Sequence, residues 1–482
     1  MKTVIEPFRI KAVEPIRLTS AAERNELLQK AGYNLFQIPA QDVTIDFLTD
    51  SGTAALSSEQ WSALMRADES YAGAASFYRF QRTVQSIFGF RYVLPVHQGR
   101  AGERLLFRQM AGPDQIVPSN THFDTTRANI ESLGAIALDL PCSEWHAGDA
   151  AAPFSGNIDL DQLEHLLGST EYGAVPLALL TVTNNACAGQ PVSMQNIKEA
   201  SRLLKSRQIP LFIDAARFAE NAYLIHERDS EYSSRSIASI AGEMFSYADG
   251  CLMSCKKDGI ANIGGFIGLN DPVLAEKLKE EMIVTEGFPT YGGLSGRELE
   301  TIAVGLNEAL QEDYLRYREA AALFLHRGLQ EIGVPVISPS SLHAVYVDAA
   351  AMFPQISAVD LPGQALACEL YREAGIRSCE IGTAMFGKVD EKTGATICAS
   401  RELVRLALPR RVYTQSHYEY VIEAFENILK RSSHIHGLRF KTQSKRLRHF
   451  TAVYEPVETE ASPLLNDLDV QQFCPCEPAY EI

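Results

Sequence analysis

Leu177-Ala178-Leu179-Leu180-Thr181-Val182-Thr183 runs into Asn184 and Asn185. Ser193 follows, then Ile197, Ala200 and Leu204 at helical spacing, and Pro210-Leu211-Phe212-Ile213-Asp214 closes the unit. A strand-length apolar run, a helix and a second apolar run make a β-α-β unit with strands buried on both faces. Ser193 offers the helix N-cap. Asp214 emerges at the carboxyl end of its strand, where open α/β sheets bind ligands. The alternation persists from about Ile45 to Leu310. It predicts an α/β fold with a mainly parallel, helix-covered sheet.

Outward from this unit the chain divides into four parts. Residues 1–45 read as an arm punctuated by Pro7 and Pro15, then a helix over Ala21 to Ala31. Residues 46–312 hold the alternating pattern. Glu298 to Ile332 reads as one long helix, with Leu299, Ile302, Leu306 and Leu310 on one face, joining two domains. Residues 313–455 read as a smaller α+β domain with a helix near Ala365 to Ala374. Residues 456–482 are acidic and proline-rich and read as a mobile tail.

The chain has 482 residues, with 44 Lys and Arg against 60 Asp and Glu, a net charge of −16. That balance argues against binding nucleic acid or an anionic membrane. No apolar run approaches the roughly 20 residues of a membrane helix. Met1 to Pro7 meets Glu6 and Pro7 too early for a secretory signal. Nine cysteines, an odd number, fit reduced thiols better than a disulfide framework. These traits predict a cytoplasmic protein. Cys474-Pro475-Cys476 lacks a second pair and makes a poor zinc site.

The segment richest in chemistry is Ser254-Cys255-Lys256-Lys257-Asp258-Gly259, followed by Asn262-Ile263-Gly264-Gly265, after the strand Cys251 to Met253. A lysine between a strand and a glycine-rich turn is either a solvated surface group or an amine desolvated for Schiff-base chemistry. Asp214 is either a helix N-cap or the carboxylate that pyridoxal phosphate needs beside its ring nitrogen. His97-Gln98-Gly99-Arg100 follows the strand Tyr92 to Val96 and opens a helix, whose free backbone amides suit phosphate. Arg100 can add a two-pronged contact. Phe123 is a core residue or a ring to stack on a cofactor. The signal is the co-occurrence and chain order of phosphate turn, aromatic, Asp and Lys.

The chain resembles the tryptophanase and tyrosine phenol-lyase family of pyridoxal-phosphate β-eliminating lyases. The resemblance runs from about Glu6 to Tyr454. Its motifs are Leu48-Thr49-Asp50-Ser51-Gly52-Thr53, Asp68-Glu69-Ser70-Tyr71-Ala72-Gly73, Gly189 to Ser193, Asp214 to Asn221, Ser254 to Asp258, Glu286 to Gly293 and Leu447 to Ala452. It implies fold type I, the aspartate aminotransferase-like fold, with a mainly parallel seven-stranded sheet in the large domain and a small α+β domain. It implies Lys257 as the residue that bonds to the cofactor and moves the substrate α-proton. Asp214 holds the pyridine nitrogen, and Phe123 stacks on the ring. Gln98, Gly99, Arg100 and Ser254 hold the phosphate. Asn185 and Arg217 sit near the cofactor oxygen and the substrate.

The same resemblance implies Arg405 as the clamp on the substrate carboxylate, and Thr49 and Ser51 as further substrate-binding residues. It makes Tyr71 the acid near the leaving group, reaching across a subunit boundary, and Lys256 the neighbour that tunes the water network. Gly52, Glu69 and Asn262 become a potassium site, and the oligomer a homotetramer. The partners implied are a small amino-acid substrate and further copies of the chain.

Four positions bear on which amino acid is cleaved. Asp124 and Ile381 stand where the phenol-lyases use Thr and Arg for a phenolic hydroxyl. His449 stands where tryptophanases place a histidine, and Phe288 and Ile381 make the pocket apolar and aromatic. All four favour tryptophan. Met244 to Gly250 reads like the phenol-lyase branch, but specificity lives in the site. The expected reaction converts L-tryptophan and water to indole, pyruvate and ammonia. The alternatives are a lyase for tyrosine or S-substituted cysteine, and a cofactor-binding scaffold without lyase activity.

Overall fold

The computed structural model describes residues 4–148, 151–169, 173–390, 392–444 and 447–457. Its centre is a seven-stranded sheet. The strands lie in the order Tyr92–Val96, Gly265–Leu269, Gly250–Ser254, Leu211–Asp214, Ala178–Thr181, Ile116–Ser119 and Ile136–Asp139. Six run the same way, and only Gly265–Leu269 is reversed, antiparallel to both neighbours. The strand-helix-strand unit of the sequence forms as expected. Ala178–Thr181 pairs in parallel with Leu211–Asp214, and Thr181 lies opposite Asp214. Between them runs the helix Met194–Lys205, with Ser193 Oγ accepting from Asn196 N at 3.1 Å.

The unbroken apolar runs follow from burial on both faces. Leu180 and Ile213 enter one apolar cluster, and Leu179 and Phe212 enter another. Side chains alternate across a strand, so such a strand needs apolar residues at every position. A third cluster packs around the three-stranded antiparallel sheet of Cys379–Ile381, Leu403–Ala407 and Ala344–Asp348. Helices Pro362–Ala374 and Gln415–Leu429 contribute to it.

The long helix expected over Glu298 to Ile332 is two helices. Gly296–Ala309 and Glu312–Glu331 are separated at Leu310 and Gln311, where Gln311 has extended backbone. Glu312 and Asp313 fall in the first turn of the second helix. Acidic side chains there favour a helix start by facing the positive end of its dipole. An apolar stripe continues past such a break, which is why periodicity alone reads one helix. The expected tail also starts later. Pro456 belongs to strand Val453–Pro456, and Val457 N donates to Gly437 O at 3.0 Å. Residues 458–482, including Cys474 and Cys476, lie outside the described residues.

Parts distant in the chain meet at Arg410, which is fully buried. It donates to Asp50 Oδ2 at 3.0 Å, Glu220 Oε1 at 3.1 Å and Asp258 Oδ1 at 2.7 Å. Asp50 also takes both prongs of Arg217, at 2.8 and 3.0 Å. Arg318 adds a second cation to Glu220 at 3.0 Å. Burying a charge is tolerable only when it is paired and hydrogen-bonded. Replacing Arg410 with Met leaves the buried Asp258 without a cation and takes one of two cations from Asp50 and from Glu220. We expect a loss of about 3–5 kcal/mol in urea unfolding; a loss under about 1 kcal/mol contradicts this account of the network.

Candidate active site

A cavity of about 260 Å³ opens at the carboxyl ends of the parallel strands. Sixteen of the residues expected at the site line it. They are Thr49, Ser51, Gln98, Gly99, Arg100, Phe123, Asp124, Asn185, Asp214, Arg217, Ser254, Lys256, Lys257, Ile381, Arg405 and His449.

The phosphate turn forms from a helix start. Helix Gly99–Met110 begins at the strand end, and Gln98 bridges to Gly264. A Cβ on Gly99 would lie 2.7 Å from Ser254 Cβ, so only glycine lets the helix end approach the Ser254 strand. Lys257 Nζ donates to Ser254 Oγ at 3.1 Å and lies 5.8 Å from the Phe123 ring centroid. Asp214 Oδ1 accepts from Ala216 N at 3.1 Å, while the side chain borders the cavity.

Electrostatics prepare these groups. Burial lowers Lys257 to about 8, Arg217 acts in the same direction, and the Asp50 and Asp214 carboxylates oppose them. Burial raises Asp214, against the pull of Lys257 and Arg217. A carboxylate desolvated in this way gains from a cationic N–H beside it. Lys256 is also lowered, by burial and then by Arg100.

The far end of the cavity is aromatic. His449 Nε2 lies 3.4 Å from Asp124 Oδ2, and both side chains are nearly buried. Among the described residues, neither ring nitrogen of His449 has a hydrogen-bond partner. Phe36 and Phe450 pack against the imidazole at 5.9 and 4.0 Å between ring centres. Arg405 donates Nη2 to Leu48 O at 3.0 Å, and its buried Nε has no partner among the described residues.

Five expected residues do not line this cavity: Tyr71, Phe288, Gly52, Glu69 and Asn262. Tyr71 is 72% exposed and packs on Phe288 and Tyr291. Asn262 Nδ2 donates to Gly52 O at 3.0 Å, so these two adjoin. Glu69 instead accepts from Gly296 N at 3.0 Å and faces Arg297.

Other residues at the site were not singled out in the sequence. Asp50 lay inside a quoted motif, but its partners Arg217 and Arg410 are far along the chain. A buried arginine demands an acid, and that was the only available signal. Glu103 lines the cavity and accepts from Thr125, Thr126 and Asn129. Burial, and then Asp214, raise it to about 7. His343 Nε2 and Tyr346 OH meet Asn185 Oδ1 at 3.1 and 3.2 Å, and His343 Nδ1 lies 3.2 Å from Glu220 Oε2. Burial, and then Arg217, lower His343 to about 4, which keeps it neutral.

Residues 46–424 match the family described as Beta-eliminating lyase. The chain belongs to the β-eliminating lyase family. Tryptophanase from Salinibacter ruber is 53% identical to it, over 96% of this chain and 97% of that protein. Tyrosine phenol-lyase from Pasteurella multocida is 44% identical, over 94% of this chain and 98% of that one. Among solved structures, Leishmania major threonine aldolase superposes with a TM-score of 0.56 at 14% identity, over 80% of this chain and 99% of that one. The fold is fold type I of the pyridoxal-phosphate enzymes, and the family is one of carbon–carbon lyases.

The residues present fit pyridoxal 5′-phosphate, the cofactor of this family and fold. The helix start at Gly99 and the Ser254 hydroxyl suit the phosphate, and Lys257 suits the aldehyde. Asp214 suits the ring nitrogen. An amine must be neutral to attack an aldehyde. With Lys257 at about 8, about one molecule in ten carries the free amine at pH 7. At the ordinary lysine value it would be about one in three thousand. Reconstitution of the apoenzyme, followed by cofactor absorbance, should therefore accelerate as pH rises from 6.5 and level off just above pH 8. A rate still climbing about tenfold per pH unit at pH 9.5 contradicts the lowered value.

Proposed function

We propose that the protein cleaves L-tryptophan, with water, to indole, pyruvate and ammonia. The observation that carries this reading is the aromatic end of the cavity, where Asp124 and His449 meet 3.4 Å apart beside Phe36 and Phe450. A carboxylate there can accept an indole N–H. Ile381 is apolar and offers no donor to a phenolic oxygen, a contact that a pocket selecting phenol would supply. Family membership and 53% identity to a tryptophanase agree with the reading.

The cofactor supplies an electron sink for the pair left on the substrate α-carbon. In this reading the chain does the rest. Arg405 pairs its free Nε–H with the substrate carboxylate, and Thr49 and Ser51 border the same place. Arg217 and Asn185 orient the substrate near the cofactor oxygen. Arg217 is itself held by Asp50, and Asn185 by His343 and Tyr346. Lys257 Nζ takes the α-proton; burial and Arg217 leave it weakly basic enough to release that proton again. Lys256 sets the water around it. Asp124 and His449 hold the indole while a proton reaches the ring carbon that leaves.

Tyr71 is the donor of that proton in this reading, and it serves the site of a second copy. Its 72% exposure, beside Phe288, suits a residue completed by a partner. The exposed Ile5, Ile10, Val13 and Leu18 of the N-terminal arm also suit contact between copies. We read the assembly as a homotetramer in the cytoplasm. Potassium would sit between copies, on the Gly52 and Asn262 carbonyls and a Glu69 carboxylate. Residues 46–312 would form the cofactor domain and 313–455 the small domain.

Product analysis tests the substrate. With cofactor and potassium, tryptophan should yield equimolar indole and pyruvate, and tyrosine far less phenol. Phenol from tyrosine without indole from tryptophan overturns the reading. Mixed oligomers test the shared site. Tyr71→Phe and Lys257→Ala should each be inactive alone and regain activity when dissociated and reassembled together. No recovery in confirmed mixed oligomers places Tyr71 in its own chain's site or in none.

A further inference from the structure

A four-residue helix, Thr383–Phe386, borders the aromatic end of the cavity, and three ionisable side chains hold its backbone. Glu380 accepts from Ala384 N and from Met385 N, each at 3.0 Å. Glu402 accepts from Thr383 N at 3.0 Å and from the Thr383 hydroxyl. These are amides that a helix start leaves without internal partners. On the other side, Arg448 donates Nε to Ala384 O at 3.0 Å and Nη2 to Thr383 O at 2.5 Å. Gln443 steadies Arg448 at 2.9 Å. All three ionisable groups are buried, and none lines the cavity itself.

What the clamp holds does line the cavity. Ile381 precedes the turn, Met385 and Phe386 lie in it, and His449 and Phe450 follow Arg448 directly. The charged residues therefore stand one step behind the surface that meets the substrate side chain. We propose that Glu380, Glu402 and Arg448 are positioning residues that select a large aromatic side chain over a small one, by fixing the Thr383–Phe386 turn against the 448–450 turn. This inference rests on the tryptophan reading above.

The two acids also crowd one another beneath the turn. A Cβ on Gly382 would lie 2.6 Å from Glu402 Oε2 and 2.7 Å from Glu380 Oε1, so both oxygens close on one point. Glu402 Oε2 is buried and has no hydrogen-bond partner among the described residues. A proton on one of the two acids removes the repulsion between two buried anions. Burial, and then Glu402, raise Glu380 to about 8; burial raises Glu402 to about 7. The other groups facing the pair are Arg448, Tyr454 and Cys379 near Glu380, and Asp348 near Glu402. Cys398 faces Arg448. At neutral pH the pair keeps a proton. Above about pH 8 that proton leaves, two like charges remain under the turn, and the clamp loosens.

The test is the ratio of kcat/KM for tryptophan to kcat/KM for S-methylcysteine, measured from pH 7 to 9.5. It is joined by calorimetric binding of α-methyl-tryptophan, which has no α-proton to lose. Arg448→Met should lower the ratio at pH 7.5, and weaken binding of the analogue, by at least about tenfold, with S-methylcysteine changed less than about threefold. In the wild type the ratio should fall above pH 8. Glu402→Gln should keep the neutral ratio and abolish the alkaline fall, because only one anion can then form beneath the turn. The inference is overturned if Arg448→Met lowers both substrates alike, or if Glu402→Gln retains the alkaline fall. A wild type that releases phenol and no indole overturns the tryptophan reading instead; the same ratio taken with tyrosine then tests the clamp.

Discussion

Asp50 receives two guanidinium groups where water does not reach, Arg217 at 2.8 and 3.0 Å and Arg410 at 3.0 Å. Each of these charges is buried, and none is tolerable without the others. Arg217 borders the cavity, whereas Arg410 follows the last strand of the smaller sheet. Arg410 reaches Asp258, the residue after Lys257, and Glu220, in the helix that Arg217 opens. One set of ion pairs thus joins the Asp50 loop, the lysine turn and both sheets. Rigid placement of the reacting groups depends on it, and placement is a large part of what an enzyme contributes.

The same network explains the tuning of Lys257. Arg217 is held near the amine by Asp50 and cannot swing away to relieve the repulsion. Burial and that fixed charge together bring the amine to about 8. A freely solvated lysine in the same turn would stay protonated at neutral pH. Asn185 is fixed by the same logic, through His343 and Tyr346, with Glu220 behind His343. The reacting surface is polar and mobile in principle; the buried charges behind it make it rigid.

The sheet was legible because its signals are local. Leu177 to Thr183 and Pro210 to Asp214 carry their strands in consecutive residues, and Gly99 marks a turn that only glycine fits. Most of the residues that line the cavity were legible too, because they sit in short motifs at strand ends. The rest lay in long-range partnerships. Arg410 is 360 positions from Asp50, and Arg448 is 65 from Thr383. No local pattern announces such pairs. Phe36 fell in a stretch read as arm, yet its ring meets His449 from the far end of the chain. The break at Leu310 and Gln311 was hidden because the apolar stripe continues across it. Tyr71 was read as a site residue from its motif, yet it is exposed and lies outside the cavity.

Cleavage of tryptophan requires that the far end of the cavity hold an indole ring. A crystal structure of the enzyme with cofactor, potassium and α-methyl-tryptophan tests it most directly. The indole N–H should lie within hydrogen-bond distance of Asp124, the ring against Phe36, Phe450 and His449, and the carboxylate on Arg405. An indole ring turned away from Asp124 and His449, or a carboxylate bound elsewhere than Arg405, would contradict it.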